Sequence, residues 1–133
     1  MKETKRFLII DDDDDDCQLF CEAIREINPL FECYISMNSS DALMKLKDGS
    51  IPIPDFIFLD LNMPKTNGKA CLIELKKDQH LKHIPVIMLT TSSSQHDIDE
   101  TNQLGASFFI TKPSNFNSLC KKIVFIIEEN WNL

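Results

Sequence analysis

FLIIDDDDDD, residues 7 to 16, joins an apolar run of strand length to six consecutive aspartates. A strand with no polar face is buried on both sides, so the chain must leave the interior where the acids begin. The charge therefore gathers at a carboxyl-terminal strand end. Similar runs recur at RFLII (6–10), FECYI (31–35), DFIFL (55–59), PVIML (85–89) and SFFIT (107–111). Four are nearly continuous in hydrophobicity and read as strands covered on both faces, whereas FECYI alternates like an edge strand.

Segments of helical spacing separate these runs. Leu19, Phe20, Ala23, Ile24 and Ile27 repeat at three and four residues before Pro29 forces an end. The others span Asp41 to Lys47 after NSS and before Gly49, 68–78 started by Asn67, 95–104 after a serine cap and closed by Gly105, and Ser114 to about Asn130. Five β-α repeats predict an α/β fold, a doubly wound five-stranded parallel sheet with helices on both faces. Such sheets bind ligands beyond the carboxyl ends of their strands. The residues there are Asp11 and Asp12, Asp60, Thr90 and Thr91, and Lys112.

Composition narrows the classes. The chain has 133 residues, the size of one domain, and 21 acidic against 14 basic residues give a net charge of −7. That balance speaks against nucleic acid or anionic membrane as a partner. Cys17, Cys21, Cys33, Cys71 and Cys120 contain no C-x-x-C pair and no zinc-like spacing with His80, His83 or His96. They read as small apolar residues of a reducing cytosol, and the histidines as solvated. No run approaches the roughly 18 apolar residues of a membrane span, so a cytoplasmic location is expected.

Carboxylates crowded at one rim repel unless a cation sits among them, and Mg²⁺ takes one or two carboxylates, waters and phosphate oxygen. Asp60, ending the central run, is then placed as a nucleophile toward phosphorus. Lys112 and Thr90 would neutralise or hydrogen-bond the remaining oxygens.

The segments IIDDD, FIFLDLNMPKTNG, PVIMLTTS and GASFFITKP, in that order, resemble the receiver domain of two-component response regulators over nearly the whole chain. The resemblance implies a flavodoxin-like strand order 2-1-3-4-5. It also implies Asp60 as phosphoacceptor, Asp12 on Mg²⁺ directly, Asp11 more through water, and Asn62 giving its backbone carbonyl to the metal. Thr90 and Lys112 become the phosphate-sensing pair, Phe109 the switch aromatic, and the Lys112–Pro113 bond cis. Asn62 and Ser92 occupy places that modulate phosphate lifetime in similar proteins. Residues 1–133 are expected to form a single receiver without an output domain. It would take phosphate from a sensor histidine kinase or a histidine phosphotransfer protein and signal to a protein effector, with no chemistry beyond self-phosphotransfer and slow autodephosphorylation.

Other readings fit the residues less well. Asp13 to Asp16 suit the positive end of a helix and read as solvated caps. A calcium loop with Asp11, Asp13, Asp15 and Glu22 as ligands fails at Asp16, where the turn needs glycine. A phosphatase resembling the haloacid dehalogenases needs a further acidic strand end after the lysine, where only Glu128 and Glu129 remain; a degenerate receiver would lack part of the constellation. Met63 and Pro64 shape a loop. In the last helix, Phe125 falls inside the polar arc of Ser118, Lys121, Lys122, Glu128 and Glu129. It should be exposed, as anchor for a partner or a homodimer.

Overall fold

The alternation appears in a computed structural model of the chain, which describes residues 4–63, 68–91, 94–113 and 115–129. The elements run β1 (Arg6–Ile10), α1 (Asp14–Ile27), β2 (Glu32–Ser36), α2 (Ser39–Asp48), β3 (Phe56–Asp60), α3 (Gly68–Lys77), β4 (Val86–Thr90), α4 (Gln95–Gln103), β5 (Phe108–Thr111) and α5 (Phe116–Glu128). Every strand pair is parallel and the order is β2-β1-β3-β4-β5. Pro64, Asn67, Ser92, Ser114 and Asn130, each given a part above, lie outside the described residues.

Strand side chains alternate between faces, and this period divides the core in two. Leu8, Ile10, Ile57, Leu59, Val86 and Met88 pack with Ala42 and Leu46 of α2 and Cys71, Leu72 and Leu75 of α3. Phe7, Ile9, Phe58, Ile87 and Leu89 pack on the opposite face with Phe20 and Ile24 of α1 and Leu119, Ile123 and Ile126 of α5. Each such side chain, fully buried, contributes about 1.5–3 kcal/mol of transfer free energy.

Helix starts are fixed by side-chain caps. Asp13, Asn38, Ser94 and Asn115 accept hydrogen bonds from the backbone N–H groups of Asp16, Asp41, Asp97 and Ser118. Each such cap contributes about 1 kcal/mol. Gly49, at φ 83°, ends α2 in the left-handed conformation that glycine adopts without steric cost.

Four strands begin one residue later than hydropathy predicts, at Glu32, Phe56, Val86 and Phe108. Ladder hydrogen bonds, rather than hydropathy, set these limits: Leu61 N–H donates to Leu89 O at 2.8 Å, and Pro85 has no N–H to give. Asp60 and Thr90 are therefore the last residues of their strands, not the first beyond them. SFFIT departs from its hydropathy: β5 is an edge strand, as the order 2-1-3-4-5 implies, and of its four residues only Ile110 is buried. Cys17, Cys21 and Cys71 are buried as expected, while Cys33 and Cys120 are half-buried; all five are free thiols. The three histidines are exposed, as expected. No described helix is long and apolar enough to cross a membrane.

Candidate functional site

The same period of two places Asp11 and Asp60. Asp11 continues the side of Phe7 and Ile9, and Asp60 that of Phe56 and Phe58, so both carboxylates project on the α1 and α5 side at adjacent strand ends. Lys112, two residues past Ile110, joins them from β5. Its Nζ lies 2.8 Å from Asp11 Oδ2 and 3.7 Å from Asp60 Oδ2. Asp12 is exposed, yet one carboxylate oxygen each from Asp11, Asp12 and Asp60 lie within 4.8 Å of one another. The structure brings together the acids that the sequence singled out.

Asp11 is fully buried. Its Oδ1 accepts the Asp13 N–H at 3.0 Å, while Oδ2 faces Lys112 without an aligned hydrogen bond. Beneath it the Cys17 thiol donates to the Asp11 carbonyl at 3.3 Å, and burial, aided by the Asp11 charge, pushes that thiol up to about 12. It stays protonated. Asp60 is 2% exposed and accepts the Asn62 N–H at 3.0 Å. Burial raises the Asp60 carboxyl from 3.8 to about 6, with the Asp11 charge adding to the rise; the Asn62 N–H and Lys112 hold it back. Lys112 shows the reverse balance. Burial works against its charge, but Asp11, Asp16 and Asp60 together hold it above the ordinary lysine value.

These donors fit a hard divalent ion. All are carboxylate oxygens on one rim, and the buried Asp11 Oδ2 has no aligned hydrogen bond, which suits Mg²⁺, Mn²⁺ or Ca²⁺ better than zinc. The calcium-loop alternative fails here, because α1 starts at Asp14 and makes Asp15, Asp16 and Glu22 helical.

Three findings go beyond or against the sequence. Asp16, read there as a solvated cap, places Oδ2 2.8 Å from Lys112 Nζ and so belongs to the site. The signal for it was available: with Asp13 as N-cap, Asp16 is the third helical residue, and helix side chains lean toward the N-terminus. The side chain of Asn62 is also engaged, its Oδ1 accepting the Thr90 hydroxyl at 2.8 Å and the Thr91 N–H at 3.0 Å. The Lys112–Pro113 bond, expected to be cis, is trans, since there is no cis bond among the described residues. Trans is the form that X-Pro bonds favour by about 0.5–1 kcal/mol. Phe109 is half-buried against the α2 and α3 side of the core. Phe125 is 51% exposed, as its place on the helical wheel predicts, with its ring 5.9 Å from that of Phe108.

Gly68 opens α3 directly under the site. A β-carbon there would stand 2.7 Å from the Asp60 carbonyl oxygen and 3.0 Å from Leu61 Cα, both backbone atoms that cannot rotate away. Gly68→Ala is expected to lower stability by about 1–3 kcal/mol, read as a lower denaturant midpoint. An unchanged midpoint would show that the helix start slides freely.

Comparison with known proteins follows the same lines. The profile of the response regulator receiver domain matches residues 7–124. Response regulator Rcp1 of Synechocystis is 33% identical over 131 residues, spanning 96% of this chain and 88% of Rcp1. Chemotaxis protein CheY-3 of Vibrio cholerae is 37% identical over 87 residues, 65% of this chain and 65% of CheY-3. Among solved structures, a phosphorylated cyanobacterial phytochrome response regulator, RcpA, superposes with a TM-score of 0.83 at 34% identity, covering 96% of this chain and 94% of RcpA. The Mn²⁺-bound form of Rcp1 gives 0.80 at 32% identity, covering 92% and 91%.

Proposed function

The chain belongs to the response regulator receiver family, whose members are signalling proteins of two-component systems rather than enzymes in the ordinary sense, and from that premise we propose that Asp60 is its phosphoacceptor. The donor is the phosphohistidine of a sensor kinase or of a phosphotransfer protein. An Asp60 carboxylate oxygen forms a bond to phosphorus as the P–N bond breaks, the bonding pair returning to the imidazole nitrogen. Asp11, Asp12, Asp60 and the Asn62 backbone carbonyl would hold Mg²⁺, which supplies charge neutralisation for one phosphoryl oxygen when bound.

The chain's own groups do the rest. Lys112 offers its ammonium to a second oxygen, and Thr90 its hydroxyl to a third, once that hydroxyl leaves Asn62. Burial of Asp60 excludes bulk water from the acyl phosphate, which is consistent with slow autodephosphorylation. The phosphorylated form then changes the population of surface conformations read by a protein effector. The observation that supports this reading most is the single ammonium set between two buried carboxylates at adjacent strand ends.

Incubation with Mg²⁺ and acetyl phosphate is expected to add one phosphoryl group to the wild type and none to Asp60→Asn, read by intact mass. Continuous release of phosphate dependent on Asp11 would instead indicate a phosphatase of the haloacid dehalogenase type. The fold already disfavours that alternative: Glu129 lines a cleft with Lys5, Asp55 and Pro85, at the amino-terminal ends of β1, β3 and β4, away from the rim that carries Asp60. No adduct on either protein would indicate a receiver that works without phosphate.

A further inference from the structure

The six aspartates do three different jobs, and one of them bears on the reactivity of Asp60. Asp11 Oδ1 accepts the Asp13 N–H, and Asp13 Oδ1 accepts the Asp16 N–H at 3.1 Å. This chain of turns fixes the first turn of α1 so that the Asp16 carboxylate returns over the site. Lys112 Nζ then sits 2.8 Å from Asp16 Oδ2 and 2.8 Å from Asp11 Oδ2, but 3.7 Å from Asp60 Oδ2. The ammonium is thus drawn toward α1, beyond hydrogen-bond distance of the proposed phosphoacceptor.

We propose that Asp16 is a positioning residue: it holds the Lys112 ammonium on the α1 side and competes for it with a phosphoryl group on Asp60. The inference rests on the phosphoacceptor reading of Asp60. Asp11 is fully buried and shares the rim with Asp60, whereas the Asp16 side chain is 40% exposed. Of the two close partners of Lys112, Asp16 is the one that water can take over at little cost. An incoming phosphoryl oxygen therefore displaces Asp16 and leaves Asp11 in place. The first turn of α1, freed from Lys112, becomes a surface that differs between the two forms.

Beryllium fluoride, a non-covalent mimic of the aspartyl phosphate, measures the competition by calorimetric titration at saturating Mg²⁺. Asp16→Asn is expected to bind it about two- to fivefold more tightly than wild type, the scale of one partly exposed ion pair. Asp16→Glu, which keeps a carboxylate within reach of Lys112, should bind as wild type does. Asp15→Asn removes the same charge from an exposed neighbour and should also leave affinity unchanged. Equal or weaker binding by Asp16→Asn, or equal tightening by Asp15→Asn, overturns the proposal.

A metal-free denaturation cycle of Asp16→Asn with Lys112→Met, built on Asp60→Asn to offset part of the loss expected of Lys112→Met, tests the tether by itself. Coupling of about threefold or more in the unfolding constant supports it, and additivity overturns it. Coupling in this cycle together with a wild type that ignores beryllium fluoride would keep the tether and sink the phosphoacceptor reading instead.

Discussion

Near neutral pH the Asp60→Asn protein will unfold at a higher denaturant concentration than the wild type, by up to about 3 kcal/mol. The folded chain holds the Asp60 carboxyl at about 6, against 3.8 for the free group. A raised acid favours its protonated form in the folded state, so it stabilises the fold fully below pH 3.8 and loses that contribution as pH rises toward 6. Above pH 6 the wild type holds an ionised group in a site that penalises it. A gap of about two pH units corresponds to about 3 kcal/mol. The amide that replaces the carboxyl in the variant has no charge to lose, so the advantage should be absent near pH 4 and reach a plateau above about pH 6. Mg²⁺ adds a second signature: it raises the wild-type midpoint through mass action and raises that of the variant less. Parallel stability curves from pH 4 to 8 would rule out the penalty.

Lys112→Met should produce a loss of comparable size or larger. The substitution keeps the unbranched stem of the side chain and removes the ammonium that serves Asp11, Asp16 and Asp60 together. Asp11 and Asp60 are both nearly inaccessible to water, and leaving a buried carboxylate unpaired costs about 3–5 kcal/mol. Because the damage is repulsion between carboxylates rather than a void, Asp60→Asn added to Lys112→Met should recover more than 1 kcal/mol beyond what the single variants predict. Urea denaturation of the four proteins gives the number. Strict additivity would mean that Asp60 never felt the lysine, whatever their separation.

The elements of this fold are legible in sequence because alternation of apolar runs and helical repeats reports burial directly. Strand order is not in the hydropathy; the resemblance of the motifs supplies it. SFFIT has the hydropathy of an inner strand, yet β5 ends the sheet, since a neighbour on each side is a property of topology and not of the run. Asp11, Asp60 and Lys112 are legible because each follows or ends an apolar run. Asp16 is hidden by its own neighbours: capping and ion pairing call for the same residue type, and its partner lies 96 positions away. Thr90 is legible as a strand end, but the acceptance of its hydroxyl by Asn62 is not, because an amide two residues past an aspartate suits a turn equally well. Phe125 is legible, as its exposure depends only on the angular arrangement within one helix.

Where α3 meets the Asp60 carbonyl there is no side chain to yield, only main chain against main chain. Any recoil of that strand end toward α3 therefore behaves like a push on a strut. The load falls on the backbone of α3, which runs from Gly68 to Lys77.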